Sequence, residues 1–139
     1  MPQYPLPVVG CFIFNQKEEV LLARSPKWGK GKVWCVPGGK IDYEETIGEA
    51  AVRETEEEVG LKTEFVKMFA VYNAIFPKYF YKKKHFIFFE CRLLVMGDQG
   101  AKPDGREITK FEWMPLRKAL SQKNLEPFTK KALQVLKAK

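Results

Sequence analysis

The 139-residue sequence has no apolar run that approaches the roughly 18 to 20 residues needed to cross a membrane as a helix. Its first residues, Met1 to Pro7, also lack the charged segment, apolar core and small-residue cleavage site of a secretory signal. We therefore expect a soluble protein that resides in the cytoplasm and has no membrane partner.

Cysteine is scarce, and its placement argues against two common classes of small protein. The three cysteines, Cys11, Cys35 and Cys91, are far apart, odd in number and flanked by apolar residues. This spacing fits neither a disulfide framework nor a zinc site. We expect all three to be core residues.

The chain has no internal repeat, low-complexity run or long linker, and its length suits a single domain spanning residues 1–139. Short apolar segments separated by turn residues predict a mixed sheet with a few helices, which is an α/β architecture. Strands are predicted over residues 7–14, 19–23, 33–36, 65–73, 86–95 and 110–114, and helices over 46–60, 116–121 and from about 127 onward.

Positive charge exceeds negative charge, which gives a formal net charge of +7. Such a charge favours polyanionic partners through long-range attraction. Phosphates and nucleic acid are such partners, with nucleic acid the less favoured, and both a monomer and a homodimer stay open.

The most informative segment contains the first predicted helix. Thr46 and Glu49 form a capping box that fixes the start of this helix, and Gly60 supplies the left-handed stop. Glu54, Glu57 and Glu58 are spaced i, i+3 and i+4, so their carboxylates share one face.

This acidic face is costly, because its carboxylates repel one another near the negative end of the helix dipole. Glu56 adds a fourth charge, whereas Arg53 can pair with only one or two of these acids, Glu57 or Glu49 being its helical neighbours. Mg²⁺ prefers carboxylate oxygens and leaves positions for phosphate. The pattern therefore predicts a metal platform.

Pro37, Gly38 and Gly39 precede this helix and predict a turn without bulky side chains. Backbone groups of such a turn can approach a metal or a phosphate directly, which places a backbone ligand beside the carboxylates.

The spacing from Gly39 through Glu45 to the run Arg53–Leu61 resembles the Nudix box, the 23-residue signature of Nudix hydrolases. Thr55 is the one departure, because it stands where the family usually has an aliphatic residue. The resemblance implies a Nudix fold, an α/β/α sandwich around a mixed sheet. It also implies a Mg²⁺-dependent hydrolase, with Mn²⁺ as a possible replacement for Mg²⁺. In such an enzyme, water attacks a phosphorus atom of a nucleoside diphosphate derivative.

The resemblance also implies roles for individual residues. Glu54, Glu57 and Glu58 would bind metal together with the Gly38 carbonyl, and Arg53 would orient these acids, with Glu45 as its partner. The general base would be Glu54, or alternatively Glu107, which precedes Trp113 by six residues and would also contact the metal.

Contacts with the substrate are expected from four side chains besides the Gly39 backbone. Arg24 would contact phosphate or base, or else pair with a surface acid, and Trp34 would be a core residue or stack on the base. Asn124 and Phe128 would line the base pocket, on family analogy alone.

The resemblance leaves the substrate open. A small chain favours conversion of a nucleoside triphosphate to the monophosphate and pyrophosphate. The alternatives are a nucleotide-sugar or ADP-ribose pyrophosphatase, and a non-catalytic nucleotide or RNA sensor.

Overall fold

The computed structural model describes residues 3–138. Its strands are β1 (Leu6–Phe14), β2 (Glu19–Arg24), β3 (Gly38–Lys40), β4 (Thr63–Ile75), β5 (His85–Val95) and β6 (Lys110–Pro115). Its helices are α1 (Ile47–Val59), α2 (Leu116–Leu120) and α3 (Pro127–Lys137), and Gly29–Gly31 forms a single 3₁₀ turn.

The strands form one mixed sheet in the order β4-β5-β1-β2-β6, with β3 paired to β1 beside this path. The β1–β5 pair is parallel, whereas the other pairs are antiparallel. The central strand β1 is buried from Val8 to Phe14, because neighbours cover both its edges and both its faces. The predicted α/β fold with a mixed sheet is confirmed.

Alternation along β1 divides the interior into two cores. Val9, Cys11 and Ile13 pack on one face of the sheet with Ala50, Ala51 and Val59 of α1. Phe12 and Phe14 pack on the other face with residues of α2 and α3, including Ala119, Ala132 and Leu133. Since side chains of a strand point alternately to opposite faces, one strand serves both layers of an α/β/α sandwich.

The predicted strand over residues 33–36 is wrong. Only isolated bridges involve Trp34 and Cys35, and the regular strand lies further on, at Gly38–Lys40. The predicted glycine turn is also wrong, because Gly38 and Gly39 are extended and pair with Gly10 and Val9 of β1. A side chain at Gly38 would collide with the Val9 carbonyl oxygen, so this close pairing requires glycine.

The remaining elements agree with their predicted positions to within about two residues. All three cysteines are buried and unpaired, as expected. Within residues 3–138, no helix is both long enough and apolar enough to cross a membrane.

Candidate functional site

Local chemistry fixes both ends of α1, the helix that carries the acidic face. The Thr46 hydroxyl accepts a hydrogen bond from the Glu49 amide at 3.1 Å, and the Glu49 carboxylate accepts one from the Thr46 amide at 2.9 Å. Gly60 ends the helix with φ of 66° and ψ of 24°. Both ends are therefore where the sequence predicts them.

Arg53 contacts several of the acids and orients their side chains. Its Nε lies 2.7 Å from Glu45 Oε2, and its Nη1 lies 2.8 Å from Glu54 Oε1 and 3.2 Å from Glu57 Oε2. Its Nη2 donates to the Lys40 carbonyl at 2.9 Å, which ties α1 to β3. Hydrogen bonds from Arg53 lower the pKa of Glu45 to about 2, so Glu45 stays ionised. The expected Glu45–Arg53 contact is present, whereas Glu49 serves the helix cap.

Glu58 is the most enclosed of the three predicted metal-binding glutamates, with 5% of its surface exposed. Its Oε1 accepts a hydrogen bond from the Gly38 amide at 3.3 Å, so β3 and α1 meet at this carboxylate. Burial, and then the hydrogen bond and charge of Glu54, raise the pKa of Glu58. Burial and the neighbouring Glu54 thus disfavour a negative charge on Glu58.

Gly39 leaves room for Glu54. A Cβ at position 39 would lie 2.7 Å from Glu54 Oε1, closer than van der Waals contact allows. The missing side chain therefore lets the Glu54 carboxylate rest directly on the β3 backbone.

These oxygens are of the kind that hard divalent cations prefer, and a cation bound beside Glu54 and Glu58 would relieve the repulsion between their charges. The acids do not converge on one point, since Arg53 holds Glu57 and Glu54. Accordingly, residues 3–138 contain no preassembled cluster of three or more histidine, cysteine or acidic ligands.

A cavity of about 510 Å³ opens in front of this acidic face. Two of its lining residues, Lys27 and Glu107, form an ion pair with 2.9 Å between Nζ and Oε1. Among residues 3–138, Lys40 is the only other lysine that lines it. The cavity has seven acidic residues against these two lysines, namely Asp42, Glu54, Glu57, Glu58, Glu90, Glu107 and Glu126. The cavity is thus acidic in a protein whose net charge is +7.

Aromatic rings line another part of this cavity. The Trp28 ring lies 4.8 Å from Phe80 and 6.2 Å from Phe88, and Phe88 lies 5.6 Å from Phe128. Phe86 lies 5.4 Å from Phe88, so the rings form one continuous group. We call these five residues the aromatic wall. A flat apolar group can bind against such a surface.

The structure brings most of the predicted site residues together. Gly38, Gly39, Phe128 and the four candidate metal-binding glutamates line the cavity, while Arg53 supports it from outside. Arg24, Trp34 and Asn124 do not line it. The Arg24 guanidinium instead lies 4.3 Å from the centre of the Trp34 ring, and the Asn124 carbonyl accepts a hydrogen bond from the Trp34 amide.

Sequence reasoning missed Glu90, Glu126 and four members of the aromatic wall. Glu90 had a signal, because a glutamate within the long apolar run of β5 is unusual for a buried strand. Glu126 also had one, since an acid directly before Pro127 can cap a helix. Trp28 lies in a loop, and its place in the cavity depends on contacts that only the folded chain creates.

Comparison with known proteins identifies relatives of this chain. The model of the NUDIX domain matches residues 5–136. Nudix hydrolase 6 of Arabidopsis thaliana is 36% identical over 117 residues, which cover 82% of this chain and 40% of that protein. Human diphosphoinositol polyphosphate phosphohydrolase 2 is 40% identical over 63 residues, which cover 45% of this chain and 34% of that protein.

The chain spans 30 to 40% of the length of the Arabidopsis relatives that it matches. Among solved structures, the MutT protein of Methanosarcina mazei superposes with a TM-score of 0.77 at 24% identity. That superposition covers 96% of this chain and 94% of the MutT chain, so the two share a fold from end to end.

Proposed function

We propose that this chain, which belongs to the NUDIX family, is a divalent-metal-dependent hydrolase of phosphoanhydride bonds in nucleoside diphosphate derivatives. The first substrate class proposed is a nucleoside triphosphate, cleaved to the monophosphate and pyrophosphate. One observation carries the proposal, namely an acidic cavity whose rim bears glutamates on a fixed helix and whose wall is aromatic.

The charge of the cavity explains the metal dependence. Seven acidic residues would repel a polyphosphate, and two lysines cannot offset them. Glu54, Glu57, Glu58 and Glu107, with the Gly38 carbonyl, would hold Mg²⁺, or Mn²⁺ in its place. When bound, the metal supplies positive charge for the phosphate oxygens and lowers the pKa of water.

The protein side chains would divide the remaining work. Glu54 would accept a proton from the attacking water, and Arg53 orients that carboxylate through its 2.8 Å contact. Glu107 is the second candidate for the base. Its 2.9 Å ion pair with Lys27 engages the Glu107 carboxylate, which favours Glu54 as the base.

The test is product release from a substrate panel with Mg²⁺, with Mn²⁺ and with EDTA. The panel contains nucleoside triphosphates, nucleotide sugars, ADP-ribose and a diphosphoinositol polyphosphate. Metal-dependent release of nucleoside monophosphate supports the proposal. Tight nucleotide binding without any turnover in Mg²⁺ would instead favour a non-catalytic sensor.

Glu54→Gln and Glu107→Gln separate the two candidate bases. If Glu54 is the base, its variant loses kcat by about 100-fold or more, and the Glu107 variant loses less. The reverse order would assign the base to Glu107.

A second candidate substrate is a diphosphoinositol polyphosphate, because a human phosphohydrolase named for that substrate is 40% identical over 63 residues. Cleavage of that compound without cleavage of any nucleotide would replace the first proposal with this one.

A further inference from the structure

Glu90 is a buried acid that the proposed chemistry does not use. It lies on β5 directly opposite Gly10 of β1, and only 3% of its surface is exposed. Alternation along β5 puts it on the same face as Phe86 and Phe88, two members of the aromatic wall. Glu90 is among the residues that line the cavity.

The Glu90 carboxyl group has no structural partner. No side-chain or backbone donor among residues 3–138 makes a hydrogen bond to it, and its strongest charged neighbour is another acid, Glu126. Burial, and then the charge of Glu126, raise the pKa of Glu90. A buried carboxyl group without a partner destabilises a fold, so packing alone does not explain this glutamate.

Glu126 differs from Glu90 because its carboxylate caps α3. It accepts hydrogen bonds from the Thr129 amide at 2.8 Å, the Thr129 hydroxyl at 3.0 Å and the Phe128 amide at 3.1 Å. Of these two acids beside the aromatic wall, Glu126 uses most of its acceptor sites within the fold, whereas all those of Glu90 are free for a ligand among residues 3–138.

Gly10 leaves the space that the Glu90 carboxyl group occupies. A Cβ at position 10 would overlap Glu90 Oε1, so the carboxyl group lies against bare backbone beneath the cavity. A ligand bound next to Glu90 would contact its acceptor oxygens and, beside them, the aromatic wall. In this wall the Phe88 ring lies 6.2 Å from Trp28 and 5.6 Å from Phe128. The acceptor oxygens of Glu90 favour a group that donates a hydrogen bond, and the rings favour a planar one.

We propose that Glu90 is a specificity-determining residue that accepts a hydrogen bond from the exocyclic amino group of a nucleobase bound at the aromatic wall. The inference rests on the proposed function, since it assigns the base-binding part of the same cavity. It does not depend on whether Glu90 is ionised, because a protonated carboxyl group keeps its carbonyl oxygen as an acceptor.

The experiment compares two substrate pairs that differ by one amino group, ATP with purine riboside triphosphate and GTP with inosine triphosphate. Wild-type protein should prefer the amino-bearing member of at least one pair by about tenfold in kcat/KM, which corresponds to one hydrogen bond. Glu90→Leu should reduce that ratio to near one by slowing the amino-bearing substrate alone. Glu90→Gln, which keeps one carbonyl acceptor, should give an intermediate ratio.

Glu112→Gln is the matched control, because Glu112 is an exposed strand glutamate outside the cavity. The kcat/KM ratio of this variant within each substrate pair should equal that of wild type. The inference is overturned if wild type hydrolyses nucleotides without discriminating within either pair, or if Glu90→Leu keeps the wild-type ratio. Failure of the proposed hydrolysis of nucleoside triphosphates looks different, because wild type would then hydrolyse none of the four nucleotides.

Discussion

The absence of a side chain at Gly39 positions the proposed base. Gly39→Ala adds a methyl group that would lie within 3 Å of the Glu54 carboxylate, while the backbone at this position suits alanine. We expect this variant to fold and to lose activity by about tenfold or more, because Glu54 must move from its place. The measurement is kcat at saturating Mg²⁺ together with the melting temperature.

Gly100→Ala serves as the control, since nothing lies within 4 Å of a Cβ there. Equal activity of the two variants would show that the Glu54 position does not limit the reaction.

The exposed end of the acidic face can be tested through Glu57. Glu57→Gln removes a charge whose side chain is 57% exposed and contacts Arg53 at 3.2 Å. Turnover should fall by about tenfold or more if Glu57 contributes to metal binding. The melting temperature should change little, because loss of an exposed ion pair costs under about 1 kcal/mol and relief of like-charge repulsion offsets it.

Glu56→Gln makes the same charge change on an exposed neighbour that does not line the cavity. Its turnover should match that of wild type. Full turnover in Glu57→Gln as well would remove Glu57 from the metal platform.

Helix α1 contributes most to the candidate site, because its first turn carries the capping box and its later turns carry the acids. Thr46→Ala removes the hydroxyl that accepts from the Glu49 amide at 3.1 Å. We expect a loss of about 1 kcal/mol in the free energy of unfolding, measured by urea titration. Glu49→Gln keeps an oxygen that can accept from the Thr46 amide and should cost less. A loss of equal size in both variants would contradict the expected role of the hydroxyl.

The same helix shows what sequence can predict. Its caps and acidic spacing depend on contacts within four residues, so residues 46–60 were assigned correctly. The predicted strand over 33–36 and the predicted turn over 37–39 are wrong, because the pairing of this segment with β1 depends on a backbone approach between Gly38 and Val9 that no local pattern specifies. The place of Glu90 in the cavity could not be predicted for a related reason, since Glu90 lies opposite Gly10 only through the parallel pairing of distant strands.

For the whole molecule, buried acids make stability depend on pH. The folded state raises the pKa of Glu58, Glu90 and Glu126, so it binds protons more tightly than the unfolded chain does. Stability should therefore increase as pH falls from 8 towards about 5, a range in which ordinary carboxyl groups stay ionised. Melting temperatures measured in EDTA test this, and a flat profile would contradict it.

Below about pH 4.5 the trend should reverse. The folded pKa of Glu45 is lowered to about 2, so its contribution to stability is present above the ordinary glutamate value and is lost as pH falls towards 2. Glu90→Leu should flatten the upper part of the profile and leave this acidic limb unchanged.

The parallel pairing of β1 with β5 also has a consequence for how the chain folds. It joins Leu6 to Phe86 and Phe14 to Leu94, so the centre of the sheet cannot close until about 80 intervening residues have been ordered or looped out. Such distant pairing carries a large entropy of loop closure and slows folding relative to hairpins of similar size. During synthesis, the edge of β1 that pairs with β5 therefore stays unpaired until β5 has been translated.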